Sequence, residues 1–461
     1  ELAEGGAGRS ASLSADGGHL TIGSPFAADG QLSLAGRDGV ATEALSAGGA
    51  LSVTSAQGRV VTGGLAAVGP LTVVAAGDAT VLGPAVSDGA VSLSAGAGLS
   101  VGSTLASGEA ASLSGAAVRV NGPILVEGAL TADAGTAGLI LAGEVRTGAG
   151  VLLKGRQVSA SGVLTVGGVV VHAGADGFNN SGSLVGNTGV DVASLGAVVQ
   201  QGVVASQGNV SLAAGRDLSL SGDVEAGGNL ALRSAERIVA GGAWWSAGAL
   251  EARAGQSLDN TRDVLAGGAV NLTADTGALT FGGRVAANGA LHLKAGGALA
   301  AGAVSGGLEK GETVSVEAGG NVSLAQVLAG GDYLARAGGD YRANGASLVV
   351  GNLDLAAVRD VAQTGMVSIG GDASVQAGGS LVQGETRILG KGMLASGGAQ
   401  AYAGSVSTGG SLDLRAGAGV VVADALLTPA ALSVEGGTGG VRVAGDLSAG
   451  GRLQVGADKG I

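Results

Sequence analysis

Residues 208–227 read GNVSLAAGRDLSLSGDVEAG, and this stretch of 20 residues contains the pattern that decides the fold. Apolar residues alternate within it in three short runs, which begin at Val210, Leu218 and Val224. Alternation with a period of two is typical of a β-strand with one buried face. Glycine, Asp and Ser separate the runs, where turns need either positive φ or a side chain that bonds the backbone.

The unit repeats along the chain. Openings similar to that at Gly208 recur at Gly89 and Gly268, and 22 starts between Gly30 and Gly450 give 21 intervals over 420 residues, a mean of 20. A unit this short can bury its inward residues only against its neighbours, as in a solenoid. The sequence therefore predicts an all-β fold, a right-handed parallel β-helix (solenoid) with about 20 residues and three short strands per coil. The hand follows from the general rule for parallel crossovers.

Four features of domain organisation follow from this repeat. Residues 1–29 are expected to form one or more irregular leading coils, and residues 30–461 a continuous β-helix of about 22 degenerate repeats. A longer interval predicts a loop inserted at residues 305–311. The last coil stops at Ile461 without a visible cap, so we expect the chain to be a fragment of a longer protein.

Composition supports a narrow aliphatic core. Glycine supplies 94 of 461 positions, and chains so rich in glycine are often disordered. Here the glycines recur in phase with apolar residues, which make up 46% of the chain, so they indicate turns. Aromatic residues contribute 2% of the chain, and there is no cysteine for disulfides or thiolate metal sites.

The charge balance and the distribution of apolar residues argue against two classes of partner. There are 24 basic and 36 acidic residues, for a net charge of −12. Nucleic-acid binding needs a concentrated basic surface, so no nucleic-acid partner is expected. No run of eighteen uninterrupted apolar residues is present, so no membrane insertion is expected.

The repeat resembles the haemagglutinin repeats of the filamentous haemagglutinin family, the two-partner secretion adhesins of Gram-negative bacteria. The pattern Gly-Gly-x-Leu-x-Leu-x-Ala-Gly-x-x-Leu is matched at residues 227–232 (GGNLAL) and at residues 288–297 (NGALHLKAGG), where asparagine replaces the first glycine. The resemblance covers residues 30–461 and corresponds to the central repeat region of that family.

The resemblance implies a β-helical shaft, export through an outer-membrane two-partner transporter, a secreted or bacterial cell-surface location, and attachment to host cells through a glycan or protein receptor. The chain departs from the family in two respects. It lacks the N-terminal secretion domain with its Asn-Pro-rich motifs. In place of an Arg-Gly-Asp integrin motif it has Gly-Arg-Asp at residues 36–38 and 215–217.

Two surface features are candidate contact sites. Trp244 is predicted to point inward from the third strand of its coil and Trp245 outward, where it either stacks on a sugar or partner protein or lies on neighbouring side chains. Arg233, Arg253 and Lys294 share one outward phase. They form either a ladder for sulfated sugar or acidic lipid or, as the nearby acidic residues favour, an ordinary solvated face.

The sequence offers no catalytic, cofactor-binding or metal-binding residues. His19, His172 and His292 are several coils apart and are each predicted to point outward. Asp340 and Asp360 fall in adjacent coils, but Asp is a common turn residue. We therefore expect no enzyme and no cofactor.

The leading hypothesis is the elongated structural shaft of a secreted or surface-exposed bacterial adhesin. The alternative is the stalk of a contact-dependent inhibition toxin, with binding and toxicity in other domains. A β-helical polysaccharide-degrading enzyme is a third, less favoured interpretation.

Overall fold

The chain folds into stacked β-strands. The computed structural model describes residues 5–308 and 311–458, and every regular element within those ranges is a strand. The chain divides into two compact units, residues 1–228 and residues 229–461.

Strands β1 to β32 belong to the first unit. Their bounds are β1 (Gly5–Ala7), β2 (Ala11–Ala15), β3 (His19–Ile22), β4 (Phe26–Ala28), β5 (Leu32–Gly36), β6 (Gly39–Thr42), β7 (Leu45–Ala47), β8 (Leu51–Ser55), β9 (Arg59–Thr62), β10 (Leu65–Ala67), β11 (Leu71–Ala75), β12 (Ala79–Val81), β13 (Ala85–Ser87), β14 (Val91–Ala95), β15 (Gly98–Val101), β16 (Leu105–Ser107), β17 (Ala111–Ser114), β18 (Ala117–Val120), β19 (Ile124–Val126), β20 (Leu130–Asp133), β21 (Gly138–Leu141), β22 (Val145–Thr147), β23 (Val151–Ala160), β24 (Val163–Thr165), β25 (Gly168–Asn180), β26 (Leu184–Gly186), β27 (Gly189–Ser194), β28 (Val198–Gln200), β29 (Val204–Ser206), β30 (Asn209–Ala214), β31 (Leu218–Leu220) and β32 (Val224–Ala226).

Strands β33 to β64 belong to the second unit. Their bounds are β33 (Leu230–Ser234), β34 (Ile238–Ala240), β35 (Trp244–Ser246), β36 (Leu250–Ala254), β37 (Leu258–Asn260), β38 (Val264–Ala266), β39 (Val270–Ala274), β40 (Leu279–Phe281), β41 (Val285–Ala287), β42 (Leu291–Ala295), β43 (Leu299–Gly306), β44 (Val314–Ala318), β45 (Val322–Ala329), β46 (Tyr333–Ala337), β47 (Tyr341–Ala343), β48 (Ser347–Val349), β49 (Leu353–Ala357), β50 (Val361–Gln363), β51 (Val367–Ile369), β52 (Ala373–Ala377), β53 (Leu381–Gln383), β54 (Thr386–Ile388), β55 (Gly392–Ser396), β56 (Gln400–Tyr402), β57 (Val406–Thr408), β58 (Leu412–Ala416), β59 (Gly419–Val422), β60 (Leu426–Thr428), β61 (Leu432–Gly436), β62 (Gly440–Val443), β63 (Leu447–Ala449) and β64 (Leu453–Ala457).

Most strands pair in parallel with the strand three places further along the chain. In the first unit Leu51 lies beside Leu71, and Leu71 beside Val91, so a register step is 20 residues. In the second unit Leu230 lies beside Leu250 with the same step. Each coil therefore supplies three strands, except where two of them merge, as in β23 and β43. The predicted all-β parallel solenoid is confirmed.

The alternation seen in the sequence sorts side chains between the interior and the surface. All seven inward residues of the 208–227 repeat are buried: Val210, Leu212, Ala214, Leu218, Leu220, Val224 and Ala226. Each lies beside the equivalent residue of the preceding coil, as Leu212 lies beside Val192 and Val224 beside Val204, so inward side chains form files within the unit. A buried aliphatic side chain contributes about 1.5–3 kcal/mol relative to exposure, and every coil supplies several.

Most turn glycines are needed for a reason other than the expected positive φ. A Cβ on Gly48 would lie 2.1 Å from the carbonyl oxygen of Asp29, and one on Gly215 would lie 2.2 Å from that of Leu195. Glycine is therefore required because consecutive coils approach too closely for a side chain. Positive φ is confined, among the described glycines, to Gly135, Gly162, Gly177, Gly307, Gly311 and Gly440.

The sequence predicts two irregular regions. In the leading region the described residues pair with the next coil in parallel, as Leu13 does with Leu34. In the expected insertion, Ser305 and Gly306 end strand β43, and the chain leaves the strand at Gly307. Glu309 and Lys310 of that insertion, and the terminal Ile461, lie outside the described residues.

Candidate functional site

Trp245 is an exposed aromatic side chain on the third strand of its coil. Strand β35 carries Trp244 inward, fully buried, and Trp245 outward with 45% of its surface exposed, as the alternation predicts. Trp245 lies beside Leu265 of the next coil, and Leu265 also faces outward and is half-buried. The pair forms a small apolar patch. An exposed indole can stack on a sugar ring or on a partner's apolar surface.

The three predicted cations occupy first strands and are separate from the tryptophan. Arg233 and Arg253 lie side by side on adjacent coils, as predicted. Lys294 lies beside Thr273, which itself lies beside Arg253, so the three cations share one outward file. Trp245 belongs to a different strand of the coil, and the structure does not place it in that file.

Each of these cations contacts a carboxylate. Arg233 Nη2 is 3.1 Å from an oxygen of Glu251, and Arg253 Nε is 3.1 Å from one of Asp275. Lys294 Nζ is 4.0 Å from an oxygen of Glu317. All three ion pairs are open to solvent, so each contributes about 0–1 kcal/mol. An anionic ligand would have to compete with these carboxylates, so the geometry favours a mixed-charge solvated face.

Shallow grooves follow the edges of the coils, a feature that the repeat pattern alone does not predict. In the second unit a groove of about 790 Å³ runs past the ends of first strands β46, β49, β52, β55 and β58. Its floor is made of small residues such as Gly378 and Ala395, and its rim includes Arg336 and Arg415. A Cβ on Gly378 would lie 2.0 Å from the carbonyl oxygen of Val358, so close coil stacking keeps the floor low. In the sequence, the feature that could have indicated this groove is the recurrence of Gly and Ala at one position of the 20-residue repeat.

A comparable groove of about 870 Å³ lies in the first unit. Its lining residues include Lys154, Arg156, His172 and Leu195. Arg156 Nε is 2.9 Å from an oxygen of Asp176. Both grooves are open and shallow, so they suit weak contact with an extended polymer better than enclosure of a small molecule.

The carboxylates of adjacent coils act as turn acceptors. Asp340 Oδ1 accepts the backbone N–H of Asp360 at 3.4 Å, and Asp360 Oδ1 accepts that of Ser380 at 2.8 Å. Arg359 Nε lies 3.2 Å from Asp340 as well. Both carboxylates therefore bind the backbone of the next coil, as expected of Asp residues in turns.

Groups that could bind metal are dispersed. His19, His172 and His292 all point outward, as predicted. Within the described ranges no three His, Cys, Asp or Glu side chains are grouped closely enough to hold a metal ion. Among the described elements there is also no helix of the length and apolarity that crossing a bilayer requires.

The fold and its surface define a class: a parallel β-solenoid whose exposed features are an apolar patch, mixed-charge files and shallow grooves. No protein-family model, curated protein or solved structure matches the chain. The resemblance to the filamentous haemagglutinin repeats therefore rests on the repeat pattern in the sequence.

Proposed function

We propose that the chain is part of the elongated structural shaft of a secreted or surface-exposed bacterial adhesin. The observation that carries the proposal is the stacking of similar coils, in register, within each unit. Such a fold extends by adding coils and presents the same outward positions repeatedly. In this proposal the chain reaches the surface through an outer-membrane two-partner transporter, as the family resemblance implies.

The Trp245–Leu265 patch is the most favourable contact point for a host glycan or protein receptor. Its apolar area is small, so a single contact is weak. Attachment through such a patch depends on many copies of the protein binding together, because effective concentration then raises the overall affinity.

A matched pair of variants tests this contact. Trp245→Ala removes the exposed indole, whereas Leu348→Ala removes a side chain of similar exposure, 42%, from the outward position of another third strand. Beads coated with the natural chain are expected to adhere to epithelial cells. Trp245→Ala is expected to reduce that adhesion several-fold, and Leu348→Ala to leave it unchanged. Equal adhesion of all three would contradict a contact at Trp245.

The alternative function is the stalk of a contact-dependent inhibition toxin, in which the chain only separates other domains. The paired state of Arg233, Arg253 and Lys294 is compatible with such a passive role. Chain-coated beads that adhere no better than uncoated beads would favour it over the adhesin shaft. A scattering profile typical of a compact particle would contradict both. Cleavage of acidic polysaccharides by the purified chain would instead favour the third interpretation, an enzyme.

A further inference from the structure

The chain contains three Asn–Gly dipeptides, at Asn121, Asn288 and Asn344. Asparagine followed by glycine is open to an intramolecular reaction in which the next backbone nitrogen attacks the side-chain carbonyl carbon. Glycine favours this attack because it has no side chain to crowd the nitrogen and its backbone is unusually free. The fold decides whether that nitrogen is available.

Two of these nitrogens are engaged in the stacking of coils. Gly289 N–H donates to the carbonyl of Gly268 at 3.1 Å, and Gly345 N–H donates to that of Ala325 at 2.6 Å. The Gly122 N–H makes no hydrogen bond within the part of the chain that the structure describes. Asn121, which precedes it, is exposed in the turn between β18 and β19. The nucleophile is therefore available at Gly122 and withheld at the other two glycines.

Arg119 is positioned to assist the reaction at Asn121. Arg119 lies on β18 two residues before Asn121, and its Nε donates to Asn121 Oδ1 at 2.6 Å. Among the described residues no carboxylate forms an ion pair with Arg119, so its charge is not neutralised locally. A cation bound to a carbonyl oxygen stabilises the negative charge that develops there during nucleophilic attack.

The geometry points to Asn121–Gly122 as a self-modifying site at which Arg119 promotes deamidation. The Gly122 nitrogen forms a bond to Asn121 Cγ, and the negative charge that develops on Oδ1 faces the guanidinium. The Cγ–Nδ2 bond then breaks, and Nδ2 leaves as ammonia with the proton lost from the Gly122 nitrogen. Water opens the resulting cyclic imide to aspartate or isoaspartate, so the net change consumes one water and releases one ammonia.

The product places a new carboxylate beside Arg119. Deamidation therefore turns a neutral–cation contact into an ion pair and adds one negative charge to the outer face of the first unit. This inference is independent of the proposed adhesin role.

The chain supplies its own matched control. The sequence Arg-x-Asn-Gly occurs at residues 119–122 and again at residues 342–345. In the second copy Arg342 Nη2 lies 3.4 Å from an oxygen of Asp340, in addition to the engaged nitrogen of Gly345. The two copies share local sequence and differ in their folded surroundings.

The experiment is to incubate the full folded chain at mildly alkaline pH and to follow all three sites by peptide mass spectrometry. Asn121 is expected to convert about tenfold faster than Asn344 or Asn288, a modest factor because the guanidinium is open to solvent. In concentrated urea the Asn121 and Asn344 rates are expected to converge. Arg119→Gln is expected to slow Asn121 alone, and only in the folded chain.

Arg119 is the residue to change because it is exposed, whereas a Cβ on Gly122 would lie 2.5 Å from the carbonyl carbon of Ser103. Circular dichroism serves to check that Arg119→Gln is folded. Equal conversion of Asn121 and Asn344 in the folded chain would overturn the proposal. So would an unchanged Asn121 rate in Arg119→Gln, or conversion that occurs only in urea.

Discussion

All three tyrosines of the chain are buried inside the second unit. The hydroxyls of Tyr333 and Tyr341 are 2.9 Å apart, and the Tyr402 hydroxyl donates to Gln400 Oε1 at 3.0 Å. Burial in the apolar interior disfavours the charged phenolate and so raises the pKa of each tyrosine, and at Tyr333 the neighbouring Tyr341 adds to the effect. The hydroxyls thus act as neutral hydrogen-bonding groups in an otherwise aliphatic core.

Stability is expected to fall as pH rises above about 10. An exposed tyrosine in the unfolded chain loses its proton near pH 10, whereas the folded chain holds it to higher pH. The unfolded state then binds fewer protons than the folded state, so the free energy of unfolding decreases with pH. Each tyrosine contributes a slope of about 1.4 kcal/mol per pH unit above that point. Urea unfolding at a series of pH values measures the slope.

The double variant Tyr333→Phe with Tyr341→Phe is the control. It removes both partners of one hydrogen bond and keeps the ring shapes, so stability near pH 7 is expected to change little. The alkaline slope is expected to drop to about one third, since one tyrosine remains. Native tyrosine absorbance that titrates freely near pH 10 would contradict burial of these groups.

At the scale of the element, side-chain ladders tie turns of successive coils together. Asp332 accepts the backbone N–H of Asn352 at 2.7 Å, Asn352 accepts that of Asp372 at 2.8 Å, and Asp372 accepts that of Lys391 at 2.8 Å. A carboxylate at position 352 would lie one strand spacing, about 4.8 Å, from each of the two flanking carboxylates, and the neutral Asn352 avoids that repulsion. In the neighbouring ladder Asp340 and Asp360 do stack, and Arg342 and Arg359 contact Asp340.

Two changes at Asn352 separate hydrogen bonding from charge. Asn352→Ala removes the acceptor and is expected to cost about 1 kcal/mol or less, independent of salt. Asn352→Asp keeps the acceptor but adds repulsion from Asp332 and Asp372, on the order of 1 kcal/mol for each neighbour at low salt. About 1 M salt shortens the screening length to about 3 Å and should remove most of that repulsion. Melting temperatures at low and high salt distinguish the two variants, and a salt-insensitive Asn352→Asp would contradict the electrostatic account.

The sequence predicts the features that depend only on a residue's position within the 20-residue repeat. The burial of Trp244 and the exposure of Trp245 follow from strict alternation, and the register of Arg233 with Arg253 follows from the 20-residue period. Features that depend on side-chain geometry do not follow. The contact of Arg233 with Glu251 needs a particular rotamer, and only close coil spacing explains why glycine is required at Gly215.

Polar residues at inward positions were also beyond sequence reasoning. Gln363 and Gln383 are fully buried, and Gln383 Nε2 donates to Gln363 Oε1 at 2.6 Å. Composition places glutamine on the surface. Here the next coil supplies a second amide at the same position, and the two satisfy part of each other's hydrogen-bonding capacity.

At the scale of the whole molecule, stability is expected to be a sum over neighbouring coils. In each unit the described strands contact their own coil and the coils before and after it. Such a fold has no single central core, and its cooperativity depends on an unbroken series of interfaces between coils. The unit of tolerance to insertion or deletion should therefore be the whole coil.

Two deletions in the second unit test this expectation. Removing residues 250–269 deletes one complete coil and brings Leu230 beside Val270, because both occupy the register position of Leu250. Removing residues 250–259 deletes the same first strand and most of the second but leaves the third strand, β38. The adjoining coils then face a gap, with unpaired backbone groups and exposed apolar files. We expect the 20-residue deletion to melt within a few degrees of the natural chain, and the 10-residue deletion to melt far lower or without cooperativity, as followed by circular dichroism. Equal melting temperatures would mean that single coils do not depend on their neighbours, contrary to the stacking on which the fold rests.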